Sequence, residues 1–235
     1  MAHLLFDNVT VKYPIYNAGA KSLKKALVNV GTGGFLSKDP GEVLTITALD
    51  KVNFELFDGD SVGLIGHNGA GKTTLLRTMA GLYTPVSGSV TTSGKISTII
   101  ELGAGLDSEL SGYENIYRLG LLLGMTKSQV QNLIPSIEDF TELGNFLEAP
   151  VRTYSSGMLM RLMFAVSTSN QPEILLVDEM FGTGDKGFQE KARARMESII
   201  SSAKIFVFAS HSEDLIKKFC NRVFELKHGS VHEVT

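Results

Sequence analysis

The 235-residue sequence is poor in cysteine, in long apolar runs and in surplus positive charge, and each shortage excludes something. A single cysteine, Cys220, excludes an intramolecular disulfide framework and suits a reducing compartment. Beside Phe219 on a predicted helix, its thiol reads as a small packed side chain. No apolar run approaches the ~18 residues needed to span a bilayer; the nearest, residues 119–125, is far too short. Lys and Arg number 22 against 25 Asp and Glu, so the net charge is -3 and the pI near 6.0, which counts against a primary role on DNA or RNA. The stretch from Met1 to Asp7 lacks the basic start and apolar core of a signal peptide. The expectation is a cytosolic chain unless a partner holds it at a membrane. With 43% hydrophobic residues, it can bury the core of one large domain, or of one domain with a subdomain.

The most specific stretch present is Gly66-His67-Asn68-Gly69-Ala70-Gly71-Lys72-Thr73, which spells G-x-x-x-x-G-K-[ST]. Four matched positions arise by chance in roughly one chain in a hundred of this length, so context must decide. Ser61 to Ile65 reads as a short buried strand before it, and Thr74 to Ala80 as a helix after it, the arrangement a phosphate-binding loop needs. Glycines let backbone N–H groups turn inward around phosphates at a helix N-terminus. Lys72 is placed to reach the β- and γ-phosphates of ATP and the Thr73 hydroxyl to hold Mg²⁺, with Thr74 beside them in the nucleotide site. An accidental glycine-rich turn is the bland alternative.

Along the chain, residues 3–12 predict edge strands or a hairpin ending near Tyr13-Pro14, and Val52 to Phe57 alternate as a half-buried strand before the turn Asp58-Gly59-Asp60. In residues 21–30, Leu23, Ala26, Leu27 and Val30 fall on one helical face with Lys21, Lys24 and Lys25 opposite, a short basic amphipathic helix followed by a glycine-rich loop. Residues 89–100 predict two strands broken at Ser93-Gly94, residues 113–124 a helix, and residues 127–146 short helices interrupted at Pro135. A helix follows Tyr154-Ser155-Ser156-Gly157. Ile174 to Val177 and Ile205 to Ala209 read as buried central strands flanking a charged helix at residues 187–201, and another strand covers Arg222 to Leu226. Strands alternating with helices predict a mostly parallel central sheet whose ligands sit at strand carboxyl ends.

Lys72, Asp178 and His211 all fall just past such ends. A strand ending in Asp-Glu is weak alone, but after a phosphate loop the two carboxylates have separate tasks. Asp178 is suited to hold Mg²⁺, directly or through water, and Glu179 to orient and deprotonate the attacking water. His211 can touch the γ-phosphate from the same sheet.

The order Gly66 to Thr73, Tyr154 to Met158, Ile174 to Glu179, Gly184-Asp185 and His211 resembles the nucleotide-binding subunit of an ABC transporter over essentially the whole chain. The resemblance implies an α/β fold: a P-loop NTPase core with a mostly parallel sheet, an antiparallel β subdomain, and a helical subdomain at about residues 106–168, all within one domain covering 1–235. It makes Ser155, Ser156 and Gly157 the signature that completes the ATP site of an opposite subunit, hence a head-to-tail homodimer with two ATP between protomers. It makes Asp185 the aspartate that signals across that interface. An adenine-stacking aromatic is implied at Tyr13 or Tyr16, with Tyr13 favoured. The signature departs from L-S-G-G-Q but keeps Ser155 and Gly157. The glutamine expected in the loop toward a transmembrane partner is missing, and Glu101 stands nearest, grouped with Thr73 and Asp178 near the metal.

The segments Ile100 to Leu106, Ser111 to Ile116 and Thr153 to Met158, together with the position of the basic helix, resemble more narrowly the ATPase subunits that export O-antigen, capsule and teichoic-acid polysaccharides. This implies a separate polytopic permease, a lipid-linked polysaccharide cargo, a peripheral place on the cytoplasmic face of the membrane, and no C-terminal carbohydrate-binding domain. The groove formed around residues 101–118 is then expected to pass motion to the permease. The basic helix is expected either to touch membrane, permease or cargo, or to be a surface insertion without contacts. An ABC ATPase for another substrate is the nearer alternative. Soluble ABC ATPases acting on nucleic acid bring basic patches, coiled-coil insertions or duplicated cassettes, none of which the sequence displays. An unrelated phosphate-loop kinase would lack the signature.

Overall fold

The computed structural model describes residues 1–15, 35–38, 44–100, 103–178 and 186–234. The basic segment 21–30, Tyr16, Glu101, Glu179 and Asp185 lie outside the described residues. The chain divides into two compact units, the first holding residues up to 96, the strand after 173 and the end from 204, the second holding the helices between.

In the first unit, β1 (His3–Ile15) is one continuous strand rather than the edge pair or hairpin its pattern predicts. It lies between β3 (Leu44–Phe57) and β5 (Ser87–Ser93), with β2 (Phe35–Lys38) beyond β3, in the antiparallel order β2-β3-β1-β5. Register shifts near Asn8 and Lys51 explain the broken alternation. Both residues take positive φ, 53° and 49°, and bulges of this kind let a strand continue past an irregular pattern. The N–H of Asn8 donates to Asn53 Oδ1 at 2.7 Å, and that of Lys51 to Thr10 Oγ1 at 3.2 Å. Pro14 does not end the strand because β5 pairs with β1 only as far as Thr10. Beyond that point no strand among the described residues pairs with that side of β1, and a residue without an N–H is tolerated there.

The second sheet of this unit is built on buried apolar runs. β4 (Ser61–Ile65) pairs in parallel with β8 (Ile205–Ala209) and β9 (Arg222–Lys227), and β8 in parallel with β7 (Ile174–Asp178). A last strand, β10 (Ser230–Val234), which the pattern did not predict, adds antiparallel to β9. All five residues of β8 are buried, as expected for a strand covered on both faces. Phe54 of β3 ties the two sheets, stacking on Phe6 at 4.5 Å between centroids and tilting against Phe224 of β9 at 5.3 Å. The first helix, α1 (Lys72–Met79), follows β4.

The second unit starts within β6 (Ile96–Ile99) and contains α2 (Gly112–Leu122), α3 (Lys127–Thr141), α4 (Ser156–Ser167) and α5 (Lys186–Ser202); α6 (Glu213–Phe219) belongs to the first unit. Ser111 with Glu114, and Thr126 with Gln129, form reciprocal capping boxes that start α2 and α3. Pro135 does not interrupt α3, contrary to the expectation of short helices. Pro135 and Gln131, whose carbonyl loses its partner, are both exposed, so water can satisfy the freed group. Burial of Val130 and Ile137 on the opposite face, worth about 1.5–3 kcal/mol for each such side chain, offsets the ~3 kcal/mol proline penalty. Their core also holds Ile116, Leu147, Leu162 and Val166.

Candidate functional site

The carboxyl ends of β4, β7 and β8 converge as the parallel order requires. After β4 the chain turns through residues 66–71 into α1. Gly66, Gly69 and Gly71 take φ values of 148°, 81° and 109°. A Cβ at Gly71 would lie 2.8 Å from the Ala48 carbonyl oxygen, and one at Gly66 would lie 2.6 Å from that of Leu226. Glycine is therefore required at both for the close approach to β3 and β9 as well as for the turn. Gly71 is the residue that begins α1, and no side chain caps the helix there. A helix start without a side-chain cap suits an anion, where the helix dipole adds to the attraction.

Lys72 Nζ donates to the carbonyls of Gly66 at 2.6 Å and His67 at 3.3 Å, which arches the ammonium back over the loop. Thr73 Oγ1 donates to Asp178 Oδ2 at 2.6 Å, joining the start of α1 to the end of β7 across 105 residues of sequence. A cavity of about 310 Å³ opens here, lined by Tyr13, Ile46, Ala48, Asn68 to Thr74, Asp178 and His211. Gly66 and His67 are not part of this lining: the Nδ1 of His67 is 2.8 Å from the Asn68 carbonyl oxygen, and its ring is 5.9 Å from that of His228. Tyr13 stands at the cavity edge, its hydroxyl donating to Thr74 Oγ1 at 3.2 Å and its ring set edge-on to Tyr83 at 5.5 Å. Burial, more than its neighbours, raises the Tyr13 pKa above the ordinary phenol value.

The sequence brings to this cavity Tyr13, Asn68, Gly69, Ala70, Gly71, Lys72, Thr73, Thr74, Asp178 and His211. It misses Ile46 and Ala48, which belong to β3 upstream of the alternating run at residues 52–57, where the pattern Thr45-Ile46-Thr47-Ala48 was the available signal. Ser155, Ser156 and Gly157 belong to the second unit. Ser155 caps α4, its Oγ accepting from Met158 N at 3.2 Å, and both serines are exposed. Tyr16, Glu101, Glu179 and Asp185 fall outside the described residues. Among the described residues no helix is long and apolar enough to cross a membrane.

A glycine loop between a parallel strand and a helix, with a carboxylate at the end of the strand two places along the same sheet, defines a phosphate-loop nucleotide-binding protein. Residues 49–182 match the family model described as ABC transporter. The chain is 62% identical to the O-antigen export system ATP-binding protein RfbE of Yersinia enterocolitica, over 99% of its own length and 98% of that protein's. It is 36% identical to the O-antigen export system ATP-binding protein RfbB of Klebsiella pneumoniae over 97% of the chain and 92% of that protein. It is 40% identical to the teichoic acids export ATP-binding protein TagH of Bacillus anthracis over 97% of the chain, which spans 40% of that longer protein. In fold it is similar to the ATP-binding subunit of an ABC transporter, with a TM-score of 0.70 at 21% identity, covering 99% of this chain and 89% of that one. It is also similar to a dimeric ATP-binding cassette in a post-hydrolysis state bound to ADP and Pi, with a TM-score of 0.68 at 22% identity, covering 99% and 98%. The chain belongs to the ABC transporter family.

Proposed function

We propose that this chain is the ATP-hydrolysing subunit of an ABC transporter that exports a lipid-linked polysaccharide, such as O-antigen, from the cytoplasmic face of the membrane, and that the whole chain acts as a single ABC ATPase domain. The observation that carries the enzymatic part is the 2.6 Å bond between Thr73 and Asp178 beside the uncapped start of α1. It gathers hard oxygen donors and phosphate-directed N–H groups around one cavity. The cargo rests on the 62% identity to the Yersinia O-antigen export protein.

In this reading the loop from Gly66 to Gly71 and the N–H groups of α1 bind the phosphates, and Lys72 transfers its ammonium from the loop carbonyls to the phosphate oxygens. Thr73 and Asp178 would hold Mg²⁺, which favours oxygen ligands. Bound there, it would supply positive charge against the transferred phosphoryl group. Tyr13 contributes a ring for adenine. Glu179 orients and deprotonates water, and His211 contacts the γ-phosphate. A second copy supplies Ser155 to Gly157, and Asp185 relays the state of one site to the other. Glu101 stands in the sequence where a glutamine is expected, and the groove around residues 101–118 passes the motion to a separate permease. ATP binding closes the dimer and hydrolysis reopens it, and the coupling to cargo depends on different affinities for the two states.

Replacing Glu179 with Gln tests the assignment. Turnover is expected to fall about 10²-fold or more with ATP still bound, and near-normal phosphate release would overturn it. Co-purification with a polytopic membrane protein encoded beside glycosyltransferases tests the transport half.

A further inference from the structure

Two side chains of the first unit, Arg77 and Tyr83, take no part in the roles above, and neither lines the phosphate cavity. Their meeting is set by how α1 stops. The N–H of Gly81 donates to the Thr78 carbonyl at 3.1 Å and that of Leu82 to the Arg77 carbonyl at 2.9 Å. These are the paired bonds of a Schellman ending, with Gly81 in the left-handed region at φ 73°. The chain thereby turns back against the last turn of α1, and Tyr83, one residue further on, meets the Arg77 side chain. Arg77 donates from Nη1 to the Tyr83 hydroxyl oxygen at 2.9 Å, and its guanidinium carbon lies 5.7 Å from the centre of the Tyr83 ring. The helix dipole also favours a cation in this last turn.

Tyr83 in turn meets Tyr13 of β1. The two rings are 5.5 Å apart between centroids at 79°, the edge-to-face geometry that aromatic pairs prefer. A second tie holds Tyr13 to the same helix, because its hydroxyl donates to Thr74 Oγ1 at 3.2 Å. Thr74 and Arg77 are three residues apart and so share a face of α1. Tyr13 is therefore held twice from α1, at its hydroxyl by the first turn and at its ring, through Tyr83, by the last. On a strand an aromatic side chain has more than one common χ1 rotamer, so contacts beyond its own backbone select the one it occupies. An edge-to-face contact takes up at most one face of the Tyr13 ring, and the ring still lines the cavity.

We infer that Tyr83, braced by Arg77, is a positioning residue for the base-binding ring: it selects the rotamer in which Tyr13 lines the cavity, and so contributes to affinity for the adenine of ATP without lining the nucleotide cavity itself. The inference rests on the proposed role of Tyr13 in binding adenine. It adds that the base wall on β1 and the phosphate loop are fixed to one helix, α1, so that both ends of the nucleotide are recognised from a common frame.

Binding of ATP and of inorganic tripolyphosphate, measured on the same protein, separates the base from the phosphates. Tyr13→Ala is expected to weaken ATP binding about 5- to 150-fold, the range for losing one ring that stacks on a base. Tyr83→Ala is expected to weaken it about 2- to 12-fold, the worth of one aromatic pair. Tripolyphosphate affinity should stay within about twofold of wild type in both, because Gly66 to Thr73 are untouched. Tyr83→Phe keeps the ring but loses the bond from Arg77, and should fall between wild type and Tyr83→Ala. Tyr83→Leu, which has no aromatic ring, is expected to match Tyr83→Ala and serves if the latter does not fold. In the Tyr13→Ala background, Tyr83→Ala should change ATP affinity less than about twofold, since a residue that acts through Tyr13 then has nothing to position. Unchanged ATP affinity in folded Tyr83→Ala or Tyr83→Leu, with Tyr13→Ala impaired, overturns the positioning role alone. An equal loss for ATP and tripolyphosphate, or an equal loss with and without Tyr13, does the same. Unchanged ATP affinity in Tyr13→Ala overturns the assignment of Tyr13 to adenine, and the inference with it.

Discussion

Replacing Gly71 with Ala isolates what the loop backbone contributes. The residue sits at φ 109°, and its new Cβ would lie 2.8 Å from the Ala48 carbonyl oxygen, a backbone atom of β3 that cannot rotate away. Gly59 offers a matched control, with φ 99° and nothing within 4 Å of its would-be Cβ. Both substitutions impose a backbone conformation that costs an L-residue about 1–3 kcal/mol. For a domain of this size each kilocalorie lowers Tm by about 2–4 °C, so both variants should melt about 2–12 °C below wild type. Only at Gly71 must the start of α1 also move away from β3, carrying with it the N–H groups of Lys72 and Thr73. If the loop relaxes by losing even one charge-assisted hydrogen bond to phosphate, about 1.5–3 kcal/mol, ATP affinity falls about 10- to 150-fold. Titration calorimetry with ATP and a thermal melt of the same samples decide the matter. Wild-type affinity in Gly71→Ala, or an equal loss of affinity in Gly59→Ala, would refute the reasoning.

Three further outcomes follow from side chains outside the cavity. Asn115 is fully buried, accepting from Asp107 N at 2.8 Å and donating to the carbonyls of Asp107, Leu110 and Ser111; Asn115→Ala should destabilise the protein by about 2–4 kcal/mol, with amide exchange faster first at residues 107–111, and unchanged exchange there would contradict this. Pro135→Ala restores the missing helix bond on an exposed face and should stabilise the protein by about 1–3 kcal/mol in a denaturant titration; a lowered midpoint would mean that the proline is needed. Burial pushes the Cys220 thiol from its ordinary 9.0 up to about 12. The native state therefore keeps its proton where the unfolded chain has lost it, so this contribution to stability is complete below pH 9 and is lost as pH rises toward about 12. Cys220→Ala should flatten the decline of stability over that window, and thiol labelling of the native protein at pH 8 should be slow because the thiolate fraction is about 10⁻⁴.

The phosphate loop was legible because its chemistry is local. Glycines, lysine and threonine at fixed offsets dictate a turn, a cation and a hydroxyl whatever surrounds them, and buried strands announce themselves as unbroken apolar runs. β1 was less legible because its alternation fails at the bulge around Asn8, and Pro14 is a stop signal only when a strand lies on both sides. Pro135 misled for a similar reason: its penalty is local and visible, whereas the packing of Val130 and Ile137 that outweighs it involves residues of α2 and α4. Ile46 and Ala48 escaped notice because they reach the cavity through pairing of β3 with β1 and not through any motif.

By itself, then, the sequence determined the nucleotide-binding chemistry and the alternation of strands and helices that gives a parallel sheet. Both are properties of residue type at short spacing. Tertiary structure alone decided that Thr73 meets Asp178 across 105 residues, that Tyr13 leans on Thr74, and that Phe188 closes a triad with Phe140 and Phe164. Contacts between distant segments depend on which strands pair and which helix faces are buried together, and these follow from the packing of the whole chain.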